Sequence, residues 1–451
     1  MVAAAIVELS GRACRWARTL EPESPETRCL TSWKRYQTIP RISLGSERST
    51  TDPGGADMSR RPSIVAVGIA MSLLVAACSS GSSPSGGSSS ACKNGKIIVG
   101  EARALTGDFA FFDVVSMNGN QLAIDQINKE GGLFGCQLTV IKGDTKGDPA
   151  LGGQVANDLI SKGAQILFSP SDFDIGIAAA QAGEKAGLVG TSEASAVEMP
   201  NAVGPHFFAA GITEEGLGLA EADFANSKGW KNAYVVTNEQ FSFFTNIEKW
   251  FKTKFQGNIV ARDVVADTQT DYSAVISKIA ASKNTDVIFL NDYFPHVGTF
   301  IKQLRDAGIE TPVLGNNSYS SLDFPGVVGK TRMSQVYYAS PVFWEGKNLD
   351  PDVQKILDDY KAKFGQAPAN NNFMEGYDSA LLMLDGFKKA GSMNADAVSK
   401  AISAEKNVKL PGATLTQWND RITQRTLVVI GFDSQGNFIQ VKPPFDPQAT
   451  S

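Results

Sequence analysis

Short apolar runs alternate with stretches of helical periodicity from Lys96 to about residue 315. Within the helical stretches, apolar residues recur three or four positions apart, as in Val297, Phe300, Ile301 and Leu304. The runs between them are rich in β-branched residues and are predicted to be strands; they cover 96–105, 136–143, 164–170, 187–191, 232–237, 259–265, 286–291 and 312–315. Strict alternation of strand and helix indicates parallel sheets covered by helices on both faces, which is a doubly wound α/β fold.

The alternation breaks near 206–213 and 336–342, where extended segments interrupt it. The later predicted elements are two helices, 351–364 and 372–390, and an extended pair, 426–432 and 437–441. We interpret the breaks as crossings between two α/β lobes, at about 210, 338 and 425, which would form a three-segment hinge. The predicted first lobe comprises 94–210 and 339–425, and the predicted second lobe comprises 211–338 and 426–445.

An apolar run, 64–77, follows two arginines and precedes a stretch made almost wholly of Ser, Gly and Pro. A basic start, a short apolar run and small residues before a cut are typical of a secretory signal, and the run is too short to span a membrane comfortably. The sequence Leu74-Val-Ala-Ala-Cys78 resembles a bacterial lipoprotein signal, which implies that Cys78 is lipidated. A plain signal peptide with an incidental cysteine is the alternative.

These features divide the N-terminal part into three predicted segments. Residues 58–77 are the expected signal peptide, and 78–93 are the expected lipidated cysteine with its Ser/Gly tether. Because a signal peptide works at the N-terminus, we hypothesise that translation begins at Met58 and that 1–57 is a mis-assigned extension.

The charge and the histidines limit the classes of function. Residues 78–451 carry 32 basic and 40 acidic side chains without a basic cluster, which argues against a nucleic-acid partner. The chain has two histidines, His206 and His296, and no metal-ligand spacing, nucleophile elbow or phosphate-binding loop. We therefore expect neither an enzyme nor a metal or cofactor site.

Two cysteines fall just before strand-like runs. Cys92 precedes the run that begins at Lys96, and Cys136 precedes the next predicted strand. In an oxidising exterior, the simple interpretation is one disulfide that joins the starts of neighbouring parallel strands. Two free buried thiols are the alternative.

Short motifs follow one another in a fixed order from Lys96 onward. They are Leu105-Thr-Gly107, Ala123-Ile-Asp-Gln-Ile-Asn128, Gly131-Gly132, Asp144, Gly183-Glu-Lys-Ala-Gly187 and Asp378-Ser-Ala380. This ordered set, over 94–442, resembles the type I periplasmic binding proteins of the leucine/isoleucine/valine-binding class. The resemblance implies two lobes that close on a small polar solute of the branched-chain amino acid, amide or amine type.

The same resemblance implies the partners and the location. We expect a monomer on the extracytoplasmic face of the cell membrane, held there by its lipid anchor alone, that delivers the solute to an ABC transporter permease. A ligand-binding subunit of the same fold that reports to a signalling receptor is the alternative.

The resemblance places part of the solute site in loops that follow strands of the first lobe. Phe112 matches an aromatic residue that covers the apolar part of the solute, although it could simply pack within its loop. The loop Ser171, Asp172, Phe173 and Asp174 matches one that holds a ligand carboxylate at a helix N-terminus. The two aspartates either line the site or cap the following helix, and they would repel a carboxylate.

The loop after the fourth strand is the third candidate region of the first lobe. Glu193, Ala194 and Ser195 match positions where the family offers a carbonyl and a hydroxyl. Ser195 is the expected hydroxyl contact. Glu193 brings a charge where the family has a small residue, and a solvated rim position is its alternative.

The second lobe contributes aromatic residues and one amide. Phe241, together with Phe243, follows a predicted strand, and either Tyr293 or Phe294 is expected to face the cleft. Asn317 stands where amino-acid binders of the family place a glutamate that pairs with the ligand's ammonium. Because a buried cation needs a partner charge, either Asp292, Glu193 or Glu239 supplies that charge, or the solute is not a typical α-amino acid. The additional carboxylates and aromatic residues expected in the cleft favour a cationic or amide-bearing solute with an apolar portion.

Overall fold

The computed structural model describes Cys92 and residues 94–449, and only the backbone of Ala194 and Ser195. The predicted extension 1–57, the predicted signal peptide 58–77, and Cys78 with nearly all of its tether lie outside the described residues. Within the described part, no helix combines the length and the apolar character needed to cross a membrane.

Strands and helices alternate along most of the described chain. The strands are β1 (Lys96–Arg103), β2 (Gln137–Asp144), β3 (Ile166–Phe168), β4 (Val189–Ser195), β5 (Phe207–Thr213), β6 (Asn232–Asn238), β7 (Asn258–Val265), β8 (Val287–Asn291), β9 (Val313–Gly315), β10 (Val336–Ser340), β11 (Lys406–Leu410), β12 (Ala413–Asn419), β13 (Ile422–Arg425), β14 (Leu427–Phe432) and β15 (Phe438–Phe445). The helices are α1 (Ala110–Lys129), α2 (Pro149–Ser161), α3 (Phe173–Lys185), α4 (Met199–Val203), α5 (Glu214–Ser227), α6 (Ser242–Lys254), α7 (Ser273–Ala281), α8 (His296–Asp306), α9 (Phe324–Val328), α10 (Pro351–Phe364), α11 (Asn372–Ala390) and α12 (Ala395–Ser403). Two single 3-10 turns cover Asn317–Tyr319 and Lys330–Arg332.

The strands form two sheets, and each sheet is the centre of one lobe. The first sheet has the order β11-β12-β13-β5-β4-β3-β1-β2, and the second has the order β15-β14-β10-β9-β8-β6-β7. The chain passes from one sheet to the other after β5, after β10 and between β13 and β14. Two lobes joined by three crossings confirm the predicted fold class, whereas the lobe boundaries given above stay a prediction.

Both sheets are mixed, although the alternation predicted parallel sheets. β11, β12 and β13 pair antiparallel, as do β10, β14 and β15. The first two hairpins turn on two-residue loops, and Gly412, Asp420 and Arg421 in these loops have positive φ. A two-residue hairpin can join only antiparallel strands, which is why this edge of the sheet departs from the βαβ rule.

The hydrophobic cores lie between the sheets and their helices. In the first lobe, apolar residues of α1, α10 and α11 pack on the sheet in one large cluster. In the second lobe, one cluster covers each face of the sheet, as expected for a sheet with helices on both sides.

The structure joins Cys92 and Cys136 in a disulfide, with a Cα–Cα distance of 5.9 Å. The two residues precede β1 and β2, which are parallel neighbours with Lys96 opposite Gln137. This is the pairing that the sequence favoured over two free thiols. It closes a loop between the N-terminal end of the described chain and the core of the first lobe.

Candidate ligand-binding cleft

A cavity lies between the lobes, at the carboxyl ends of the parallel strands, where open α/β sheets bind ligands. Its empty volume is about 640 Å³, including space that is open to solvent. The lining residues from the first lobe are Asp108, Phe109, Phe112, Ser171, Asp172 and Asn372, and those from the second lobe are Phe241, Phe243, Phe244, Tyr293, Asn317 and Ser318. Both lobes therefore contribute side chains to one site.

Aromatic rings form much of the wall and meet across the cleft. Phe109 of the first lobe lies edge-on to Phe241 of the second, with the ring centroids 5.3 Å apart. Phe112 lies 6.2 Å from Tyr293, also in an edge-on arrangement. The hydroxyl of Tyr293 donates a hydrogen bond to Asp267 at 2.6 Å, which fixes the position of this ring. The apolar part of the cavity is thus closed by contacts between the two lobes.

The start of α3 contributes one carboxylate to the cavity, that of Asp172. Asp172 is the N-cap of this helix and accepts a hydrogen bond from the backbone N–H of Asp174 at 2.9 Å. Burial, together with the neighbouring charge of Asp174, raises the pKa of Asp172 to about 7. Both of the interpretations considered for Asp172 therefore apply, because it caps the helix and also lines the cavity.

Asp174 does not line the cavity but links the lobes. Its carboxylate accepts a hydrogen bond from the backbone N–H of Ser242, the first residue of α6, at 3.0 Å. Asp113 acts within the first lobe in a similar way, since it accepts hydrogen bonds from the backbone N–H groups of Ala104 at 2.7 Å and of Ser171 at 2.8 Å. These two carboxylates hold the loops of the cavity in place.

Asn317 reaches the cavity from the second lobe and is paired with a glutamate of the first. Its Nδ2 donates a hydrogen bond to Glu375 of α11 at 3.0 Å. Burial raises the pKa of Glu375 to about 8. Within the described part of the chain, the Oδ1 of Asn317 and the Oε2 of Glu375 have no hydrogen-bond partner. A carboxyl group therefore does lie beside position 317, but it comes from a different element.

Glu193 occupies a different place from the one that the sequence predicted. It is completely buried, and its two oxygens accept hydrogen bonds from the guanidinium of Arg103 at 2.6 and 2.5 Å. Glu101 accepts from the same guanidinium at 2.8 Å, and Asn120 donates to both glutamates. Glu193 is therefore neither a cavity residue nor a solvated rim residue, because the buried arginine requires its charge.

The structure brings together half of the predicted site residues. Phe112, Ser171, Asp172, Phe241, Tyr293 and Asn317 line the cavity, and their contact with a solute stays a prediction. Phe294 instead lies against Phe111 and Phe324, and Phe173 packs beside a small cluster around Met199. The backbone of Ala194 and Ser195 lies in β4, but their side chains are outside the description.

The sequence did not single out Asp108, Phe109, Phe244, Ser318, Asn372 or Glu375. Asp108 and Phe109 directly follow the turn after β1, so the rule that ligands bind beyond strand ends could have included them. Asn372 and Glu375 lie in the first turn of α11, which no strand precedes directly. The packing of α11 against α1 and against the sheet of the first lobe brings them to the cleft.

Comparison with known proteins agrees with this architecture. Residues 96–437 match the family described as periplasmic binding protein. The Leu/Ile/Val-binding protein BraC3 of Rhizobium johnstonii is 25% identical over 324 residues, which are 69% of this chain and 84% of that protein. The chain belongs to the periplasmic binding protein family, and it is a binding protein and not an enzyme.

Two solved structures show the likeness of the fold. The branched-chain amino acid transporter substrate-binding protein LivJ of Streptococcus pneumoniae, in complex with isoleucine, has a TM-score of 0.67 and 22% identity, and the match covers 77% of this chain and 100% of that one. A solute-binding protein of an ABC transporter from Rhodopseudomonas palustris BisB5, in complex with 3,4-dihydroxybenzoic acid, has a TM-score of 0.67 and 20% identity, with 78% and 98% covered. These two proteins share the fold and hold different solutes.

Proposed function

We propose that this protein is a lipid-anchored, extracytoplasmic solute-binding protein that captures a small solute between its lobes and delivers it to an ABC transporter permease. The observation that supports this function best is the cavity, since both lobes line it and aromatic contacts close it. A cleft between two hinged lobes is the arrangement that periplasmic binding proteins close around ligands. The sensor alternative is not favoured, because the two similar structures are named as transporter proteins.

The anchor and the monomeric state belong to the same proposal. The lipoprotein-like sequence that ends at Cys78 and the Ser/Gly stretch after it support a tethered domain. A tethered monomer could load solute and still reach a permease in the same membrane.

A thermal-shift screen of the full chain tests the proposed function. The panel contains branched-chain amino acids, amides, amines and small carboxylic acids. A compound at a hundred times its dissociation constant should add about 2.7 kcal/mol to the free energy of unfolding. If no compound of the panel raises the unfolding temperature, the proposal is wrong.

A pair of matched variants separates cavity binding from general stabilisation. Phe112→Ala removes a ring from the cavity wall and should abolish the rise in unfolding temperature that the ligand causes. Phe364→Ala removes an equally half-buried ring from the end of α10, where Phe364 packs against Tyr360, and should leave the shift unchanged.

A further inference from the structure

The charged side chains that line the cavity are acidic. Asp108 and Asp172 both face this space, whereas no lysine, arginine or histidine of the described residues lines it. A ligand with a net negative charge would lose its hydration here and meet no opposite charge, which is costly. A ligand with a positive charge would meet a carboxylate.

The helix N-termini beside the cavity are already occupied by the protein's own carboxylates. At the start of α3, the backbone N–H of Asp174 is bound by Asp172, and that of Ser171 is bound by Asp113. At the start of α6, the backbone N–H of Ser242 is bound by Asp174. A helix N-terminus attracts a ligand carboxylate through free N–H groups. Each of these two helices has given one of its first N–H groups to an aspartate, and the aspartates would repel a ligand carboxylate that approached the N–H groups beside them.

Among the residues that line the cavity, the buried side-chain polar atom without a hydrogen-bond partner is an acceptor. Asn317 is 5% exposed and lines the cavity, and its Oδ1 has no partner among the described residues. Its Nδ2 is already bonded to Glu375, so the oxygen is the atom of this amide that lacks a partner. An unpaired buried acceptor is unfavourable, and a hydrogen-bond donor on the ligand would remove that cost. The polar part of the site therefore calls for N–H groups on the ligand.

The aromatic wall is suited to the same kind of ligand. Phe241 lies within about 6 Å of both Phe109 and Tyr293, so several ring faces surround a small volume. Ring faces attract cations within about 6 Å of the centroid, and they also bury an apolar body favourably.

We propose that the cavity binds an amine-type solute, with a cationic nitrogen held by Asp172 and Asn317 and an apolar body held by the aromatic wall, and that it discriminates against carboxylates. This inference rests on the proposed function and specifies the class of its solute.

Three probes of similar shape and different charge test the inference on the full chain. Benzylamine is cationic, benzyl alcohol is neutral and benzoate is anionic, and isoleucine serves as a zwitterionic comparison. Isothermal titration calorimetry should show benzylamine binding at least tenfold more tightly than benzoate or isoleucine. A tenfold difference corresponds to about 1.4 kcal/mol.

Two aspartate variants form a matched pair for the role of the charge. Asp172→Asn keeps a good helix N-cap but removes the carboxylate, and it should weaken benzylamine binding at least tenfold. Asp148→Asn makes the same change at the N-cap of α2, where Asp148 binds the backbone N–H of Ala150 and does not line the cavity. The Asp148 variant should bind benzylamine as the unchanged protein does.

Three other results would contradict the inference about the solute. If benzoate or isoleucine binds as tightly as benzylamine, the inference is overturned while the proposed function stands. If Asp172→Asn binds benzylamine unchanged, the inference is overturned, because the carboxylate is then not what the cavity recognises. If neither these probes nor any compound of the wider panel binds, the proposed function fails and the inference fails with it.

Discussion

At the scale of single residues, Arg103 carries a buried positive charge of the first lobe that several carboxylates surround. It is the last residue of β1 and is completely buried, with Glu101 and Glu193 on its guanidinium and Asp113 4.0 Å away. Glu101 and Arg103 are two positions apart, so their side chains leave the same face of the strand. Asp113 in turn holds the loop backbones at Ala104 and Ser171. The buried ion cluster therefore supports the floor of the cavity.

Replacing this arginine should destabilise the protein strongly. Arg103→Met leaves two or more buried carboxylates without a cation, and we expect the free energy of unfolding to fall by about 3–5 kcal/mol. Urea denaturation measures the change. Arg332→Met is the control, because it breaks an exposed ion pair with Asp306 and should cost less than about 1 kcal/mol. Equal losses in the two variants would contradict a supporting role for the buried cluster.

Individual residues also show which parts of the site can be predicted from the sequence. Loops beyond strand ends were identifiable, and Phe112, Asp172 and Tyr293 do line the cavity. Glu193 was misplaced because its environment depends on Arg103, which is 90 positions away in the chain. A sequence shows that a charge follows a strand, but it does not show which buried charge that residue must neutralise.

At the scale of elements, α1 and α11 pack against each other with their backbones in close approach. A Cβ atom built on Gly376 would lie 2.0 Å from the backbone oxygen of Ser116, and one on Gly119 would lie 1.9 Å from that of Phe373. The two backbones approach so closely because glycine occupies both sides of the contact. This approach carries Asn372 and Glu375 to the cleft.

Gly376→Ala should force these helices apart. Overpacking typically costs about 1–3 kcal/mol, and the better helix propensity of alanine returns about 1 kcal/mol. We therefore expect a net loss of up to about 2 kcal/mol in urea denaturation, together with weaker solute binding. Gly326→Ala in α9 is the matched control, since nothing lies within 4 Å of its added Cβ. A stable Gly376→Ala protein with unchanged binding would contradict this account.

Elements with strong periodicity were predictable, and short exposed ones were not. The helices predicted over 351–364 and 372–390 have these bounds in the structure. β11, β12 and β13 were not predicted. β11 is a short, largely exposed, lysine-containing strand at a sheet edge, and β12 and β13 are short strands with many polar residues, so none of the three has a continuous apolar signal. Their hairpin turns are the local feature that could have indicated them.

At the scale of the whole molecule, buried carboxyl groups set the pH dependence of stability. Burial raises the pKa to about 7 for Glu101, Asp172 and Glu405, to about 8 for Glu375 and to about 6 for Asp378. Each of these groups binds its proton more tightly in the folded state than in the unfolded state. Their contribution to stability is fully present below the unfolded pKa of about 4 and is lost as the pH rises through the folded values.

The free energy of unfolding should therefore fall by several kcal/mol between about pH 5 and about pH 8. Urea midpoints at the two pH values measure this change. Carboxyls with a lowered pKa do not oppose it, because they titrate below this window; in Glu248, hydrogen bonds from Arg262 and Lys252 outweigh desolvation. Glu405→Gln removes one titrating group away from the cavity and should flatten the profile. A urea midpoint that rises between these two pH values would contradict the predicted loss of stability.

The hydrogen bonds that cross the cleft have a consequence for how tightly any solute is held. Asp174 accepts a hydrogen bond from Ser242, and Asn317 donates one to Glu375. Both bonds join one lobe to the other and neither includes the solute. Such bonds lower the free energy of the closed state for empty and loaded molecules alike. The apparent dissociation constant varies inversely with the fraction of molecules that are already closed. Affinity can therefore be tuned through a bond such as that between Asp174 and Ser242, neither of which lines the cavity, while discrimination between solutes stays with the cavity wall.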